Sequence, residues 1–166
     1  MKFPNITNTK NIGFNNNNNF HKLNEIGLNM AYNNINKVFV DGNTLYVAGT
    51  SNIKDAYDDV SKIPFYGDLK RSTRYYQAKN VLDLNPNINE IIGHSLGGSI
   101  ALQLQKDDSK YQTTTYGAPV VQINPFLTGN RYRFKNDPVS MFDNGAITVD
   151  NGFKLNPHSY SDFKLT

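Results

Sequence analysis

From Phe20 onward the apolar positions Phe20, Leu23, Ile26, Met30 and Ala31 recur at steps of three and four, which predicts a helix to about Asn33 with Gly27 as its weak point. Ahead of it, residues 1–19 are polar and close on the run Asn15-Asn16-Asn17-Asn18-Asn19. So little apolar surface does not offset chain entropy, and the expectation is a loosely held N-terminal arm. The period then changes. Lys37-Val38-Phe39-Val40 and Thr44-Leu45-Tyr46-Val47-Ala48 are β-rich runs on either side of Asp41-Gly42-Asn43, a hairpin signal. Leu45 to Ala48 is nearly all apolar, so the second run belongs inside a sheet. It ends in Gly49-Thr50-Ser51-Asn52. Ile53 to Val60 reads as a short amphipathic helix with Ile53, Ala56, Tyr57 and Val60 on one side; beyond Pro64 and Gly67, Leu69 to Leu84 reads as a longer one stopped by Pro86.

The stretch Asn89 to Gln105 organises the rest. Asn89 to Ile92 suits a short buried strand. From Leu96, the residues Leu96, Ser99, Ile100, Leu102 and Leu104 keep helical spacing, with small Gly97, Gly98, Ser99 and Ala101 allowing close packing. Tyr111 to Tyr116 is a further strand, stopping at Gly117-Ala118-Pro119. Asn124-Pro125 to Gly129-Asn130 is loop-like, and Arg131 to Lys135 alternates as a strand that breaks at Asn136-Asp137-Pro138. The tail beyond has little periodicity. Strands alternating with helices imply an α/β fold: a mostly parallel central sheet with helices on both faces.

Composition narrows the class. A chain of 166 residues is one domain, 1–166, long enough for a single core. Seventeen basic against fourteen acidic residues give a net charge of +3, with a pI near 9.0. That is a mild bias toward anionic surfaces and far short of a nucleic-acid footprint. With no Cys, disulfides, Cys metal sites and a cysteine nucleophile are excluded. No apolar run has the length of a membrane span, and the N-terminus has no signal-peptide core, so the expectation is a soluble protein of undetermined compartment.

The candidate chemistry sits between the strand and helix of the organising stretch. Gly93-His94-Ser95-Leu96-Gly97-Gly98 is a Gly-x-Ser-x-Gly string, which chance alone would place in about 5% of chains this long. Its context adds the weight, because such an elbow needs a strand before it and a helix after it. Glycines two before and two after the apex relieve the crowding of a sharp turn. The serine hydroxyl is then presented beside the free N–H groups of a helix start, where an oxygen gaining negative charge is stabilised. A serine also needs a base, oriented by an acid. Of the histidines, His21 falls on the early helix in a surface or half-buried position and His94 projects differently from its neighbour, as packing or support. His158 lies in the irregular Asn156-Pro157-His158-Ser159-Tyr160. Asp137 leaves a strand end and completes the chain order Ser, Asp, His, with Asp143 and Asp150 as competing acids. A turn-capping role is the plain alternative for Asp137.

The ordered set of Gly49-Thr50 after a strand, Gly93 to Gly98, Thr115-Tyr116-Gly117-Ala118-Pro119, Asn136-Asp137-Pro138-Val139 and His158-Ser159-Tyr160 resembles the class 3 (fungal-type) lipase family over roughly residues 38 to 160. The resemblance implies a compact α/β-hydrolase-like fold. It makes Ser95 the nucleophile, Asp137 the orienting acid and His158 the base. The backbone N–H groups of Thr50 and Leu96 become the oxyanion hole, Gly93, His94, Gly97 and Gly98 the elbow, and Ile53, Ala56 and Tyr57 an apolar lid face. Two departures stand out: Ala48 replaces the basic residue that often precedes the Gly-Thr pair, and the chain is shorter than typical members. The implied activity is hydrolysis of carboxylic esters of lipids, by a lipase or phospholipase, with no cofactor and no metal. Its partner is an ester or lipid substrate at a membrane or lipid-droplet surface. A lidless esterase for small soluble esters and a non-catalytic lipid-binding or structural module on the same scaffold are the rivals. A peptidase would need a peptide cleft, for which there is no signal.

Overall fold

The computed structural model describes residues 10–51, 69–120, 129–150, 152 and 156–161, with side chains from residue 18 onward. Helix α1 (Lys10–Asn33) leads into strands β1 (Val38–Asp41) and β2 (Thr44–Val47). A short 3-10 turn (Leu69–Arg71) precedes α2 (Thr73–Leu84); β3 (Glu90–His94), α3 (Leu96–Asp107), β4 (Gln112–Tyr116), β5 (Asn130–Phe134) and β6 (Ile147–Val149) follow. The six strands lie side by side in chain order, β1 to β6. Only the β1–β2 hairpin is antiparallel, with Val38 opposite Val47; every other pair is parallel. The α/β class expected from the alternation is therefore what the chain adopts.

Strand alternation divides the core in two. Leu45, Val47 and Ile91 point to the face covered by α2 and α3, where Ala78, Leu82, Ile100, Ala101 and Leu104 meet them. Tyr46, Ala48 and Ile92 point to the face covered by α1, joined by Tyr116, Tyr132, Phe134 and Val149 against Leu28 and Ala31. Gly27, the weak point of the helical pattern, is a site of close approach: a Cβ there would fall 2.2 Å from the Tyr46 ring.

Three expectations need correction. The helix predicted from Phe20 starts earlier, since the backbone is helical from Lys10; once Ala31 and Leu28 dock the helix, each added residue gains a hydrogen bond without a new nucleation cost. Residues 1–9 lie outside the described residues. The helix from Leu69 is interrupted at Ser72, whose side chain accepts from the Tyr75 N–H at 3.1 Å and restarts the helix as an N-cap. The tail contains β6, which pairs with β5 through Tyr132 and Ile147 although its three residues are too few to show a period.

Candidate active site

The elbow forms for a steric reason. Ser95 has φ 54° and ψ −127°, left-handed backbone that side chains with a Cβ rarely adopt. The crowding falls on its glycine neighbours: a Cβ on Gly93 would stand 2.3 Å from the Gly97 carbonyl oxygen, and one on Gly97 would stand 2.1 Å from that of Val47. The turn is pinned to the sheet by the Ser95 N–H, which donates to the Tyr116 carbonyl at 3.0 Å. The Ser95 carbonyl accepts from Gly98 and Ser99, opening α3, while the side chain makes no capping bond. That leaves the hydroxyl for another partner.

The partner is His158, whose Nε2 lies 2.8 Å from Ser95 Oγ. On the other side of the ring, Nδ1 is 3.0 Å from both carboxylate oxygens of Asp137. An acid accepting at Nδ1 places the ring proton there and turns the Nε2 lone pair to the serine hydroxyl. Asp137 is itself oriented by the loop that follows: Oδ1 accepts from the Val139 N–H at 2.9 Å and Oδ2 from the Ser140 hydroxyl. Ser95, Asp137 and His158 are all buried. The competing acids are engaged elsewhere. Asp143 Oδ2 lies 3.1 Å from Arg131 Nε, a buried charge contact at an angle outside hydrogen-bond geometry. Burial holds the Asp143 pKa above its usual range despite Arg131. Asp150 pairs with Lys135 at 2.9 Å.

The strap after β2 presses against the elbow, since a Cβ on Gly49 would lie 2.7 Å from the Ser95 Cβ. It is held from both faces of the sheet. Arg74 on α2 donates through Nη1 to the Ala48 carbonyl at 2.5 Å and the Gly49 carbonyl at 3.3 Å. On the α1 side the Gly49 N–H donates to the Tyr32 hydroxyl at 3.1 Å. Thr50 Oγ1 is buried with no hydrogen-bond partner among the described residues. Across the elbow, Leu96 and Gly97 occupy the first turn of α3, whose N–H groups have no intrahelical acceptors.

His94 packs beside His158 and makes its hydrogen bond outside the chain from Ser95 through His158 to Asp137. Its Nδ1 is 2.6 Å from the Tyr32 hydroxyl and its ring lies 4.8 Å from that of His158, centroid to centroid. Burial, and secondarily the neighbouring His158, push its pKa well below the usual 6.5, so it stays neutral beside the His158 ring. His21, expected at the surface or half-buried, is buried: its Nδ1 lies 2.7 Å from the Tyr116 hydroxyl, because the aromatic face of the sheet offers a polar atom under α1. Ile53, Ala56 and Tyr57, the lid positions, lie outside the described residues. Lys70 pairs with Asp107 at 2.6 Å, and Arg74 is turned inward to the strap. Tyr32, Arg74 and Ser140 carry no sequence signal, since nothing in their local pattern marks a contact across the fold.

Among the described residues no group of three or more His, Cys, Asp or Glu side chains is placed to hold a metal ion, and no helix is long and apolar enough to cross a membrane. In chemical terms the arrangement can pass the Ser95 proton to His158 while a fixed carboxylate faces the opposite ring nitrogen. Compared with known proteins, the chain matches no family model, no curated protein and no solved structure.

Proposed function

We propose that this protein is a serine hydrolase that cleaves carboxylic esters of lipids through an acyl-enzyme, on a compact α/β-hydrolase-like fold of the class 3 lipase type. The observation that carries the proposal is the continuous chain from Ser95 Oγ through His158, 2.8 Å and 3.0 Å long, to Asp137. In the first half-reaction His158 Nε2 takes the Ser95 proton as Oγ bonds to the ester carbonyl carbon. The oxyanion is held by the N–H groups of Leu96 and Thr50, with the Thr50 hydroxyl, otherwise unpartnered, as a further donor. His158 then gives its proton to the leaving alcohol as the carbon–oxygen bond breaks. A water repeats the sequence to release the acid and free Ser95. The lipid side of the substrate rests on the family resemblance.

The test is covalent. A fluorophosphonate should label the full chain at Ser95, and Ser95→Ala should lose both labelling and p-nitrophenyl ester hydrolysis, by a factor of roughly 1,000 or more, while keeping its unfolding transition. Absence of labelling in the unmutated chain would leave the non-catalytic module as the reading. Activity confined to short soluble esters, with none on lipid dispersions, would replace the lipid substrate with a small ester.

A further inference from the structure

Tyr32 lies near the end of α1, outside every motif, yet its hydroxyl touches two segments of the site. It accepts the Gly49 N–H at 3.1 Å and stands 2.6 Å from His94 Nδ1. A phenol has one proton to donate; with the amide donating to its oxygen, the arrangement that satisfies Nδ1 sends that proton to it and leaves the His94 proton on Nε2, which has no hydrogen-bond partner among the described residues. Burial raises the Tyr32 pKa and lowers that of His94, so both partners stay neutral. The Tyr32 ring is stacked on Tyr160, centroids 5.1 Å apart and planes within 6°. Tyr160 is two residues beyond His158 in the chain, and its hydroxyl donates to Asn29 Oδ1, also on α1, at 2.8 Å. The Tyr160 ring also packs 4.8 Å from that of His94. Three segments that must be mutually placed for the proposed reaction therefore meet one side chain: the Gly49-Thr50 strap, the His94-Ser95 elbow and the loop bearing His158.

We propose that Tyr32 is a positioning residue. Its hydroxyl sets the Gly49-Thr50 strap relative to Ser95, and its ring sets the loop that carries His158. The proposal rests on the ester-hydrolase reading. Tyr32 touches no reacting atom and acts through Gly49, His94 and Tyr160. The strap has little tolerance, because Gly49 already lies against Ser95, so a small shift moves the Thr50 N–H away from the oxygen it would bind. Arg74 still holds the strap carbonyls when the hydroxyl is removed. The loss is therefore partial, and it falls on the transition state, in which the oxyanion exists, more than on substrate binding.

The experiment compares the full chain with Tyr32→Phe, which keeps the stacked ring and deletes the hydroxyl, after titrating active sites with fluorophosphonate. The expected result is a kcat per titrated site lowered roughly ten-fold with KM within about two-fold, and slower labelling at Ser95. Tyr160→Ala, which removes the stacked ring with its bond to Asn29 and leaves the Tyr32 hydroxyl in place, should lower kcat by a smaller factor. A merely structural role would reduce the number of titratable sites and leave kcat per site unchanged, and that outcome overturns the proposal. One measurement needs no variant: nitrogen NMR of the unmutated chain should find His94 protonated on Nε2 and accepting at Nδ1. The opposite tautomer also overturns it. A chain that fluorophosphonate does not label defeats the hydrolase reading first, and the positioning role falls with it. Normal labelling with Tyr32→Phe turning over at the unmutated rate defeats the positioning role alone.

Discussion

The two faces of the sheet hold the protein together in different ways. Under α2 and α3 the contacts are mainly aliphatic, with Leu45, Val47 and Ile91 against Ala78, Ile100, Ala101 and Leu104, and Tyr75 and Tyr111 at the margin of the cluster. Under α1 they are aromatic and polar: Tyr46, Tyr116 and Tyr132 face the helix, Asn24 Nδ2 donates to the Tyr116 hydroxyl at 2.9 Å, and Tyr32 and Tyr160 stack. Aliphatic burial is non-directional; it stabilises about in proportion to area and tolerates small slides. Hydrogen bonds and stacked rings fix angles and distances as well. The aliphatic face can thus supply most of the stability, while the α1 face sets where the loops of the candidate site stand. The α2 and α3 side has directional bonds as well: Tyr75 donates to Asp107, Gln105 donates to the Tyr111 carbonyl, and Arg74 reaches from α2 to the strap, the one of these that bears on the candidate site.

Substitutions away from α1 should change stability and leave turnover per active site intact. The largest effect is expected for Asp143→Ala, which leaves the Arg131 guanidinium buried without its carboxylate and should cost about 3 to 5 kcal/mol in urea unfolding. It also bears on the acid, because Ser95 labelling should persist there and be lost in Asp137→Ala; the reverse pattern would move the acid to Asp143. Ile100→Ala, at a fully buried position of α3, should cost about 3 kcal/mol by leaving a cavity, with kcat unchanged. A fall in kcat per titrated site would show that the aliphatic face also sets the geometry.

On the α1 face the expected pattern is the reverse, with smaller stability losses. Tyr116→Phe removes the oxygen bonded to His21 and Asn24 and should cost about 1 to 2 kcal/mol. The smallest effect concerns pH. Burial lowers the pKa of both His94 and His21 from 6.5, so below that pH the unfolded chain binds protons that the folded chain does not. By linkage, stability is full above about 6.5 and falls as the pH drops below it. His94→Gln should flatten the fall of Tm between about pH 6.5 and 5. An unchanged slope would mean that His94 is not held neutral in the folded chain.

The elbow and the hairpin were legible in the amino-acid sequence because their causes are local. Gly93 and Gly97 flank Ser95 within one turn, and Asp41-Gly42-Asn43 needs no distant partner to reverse the chain; Gly42 has φ 58°. The alternation of strand and helix was legible for the same reason, and with it the α/β class. Helix α1 was legible only from Phe20, where apolar residues set a period; its asparagine-rich start follows from docking further along. Strand β6 was silent, because its three residues find their place only beside β5.

The site divides in the same way. Ser95, His158 and three acids were marked by type and order, and tertiary structure alone pairs the acids, Asp143 with Arg131, Asp150 with Lys135 and Asp137 with His158. It alone brought Tyr32 to His94 across 62 residues and Arg74 to the strap across 26. Local sterics and hydrogen bonding settle a turn or a helix start within a few residues. A contact between distant side chains exists only after the sheet has stacked its strands and the helices have closed over both faces, and no local pattern records that distance.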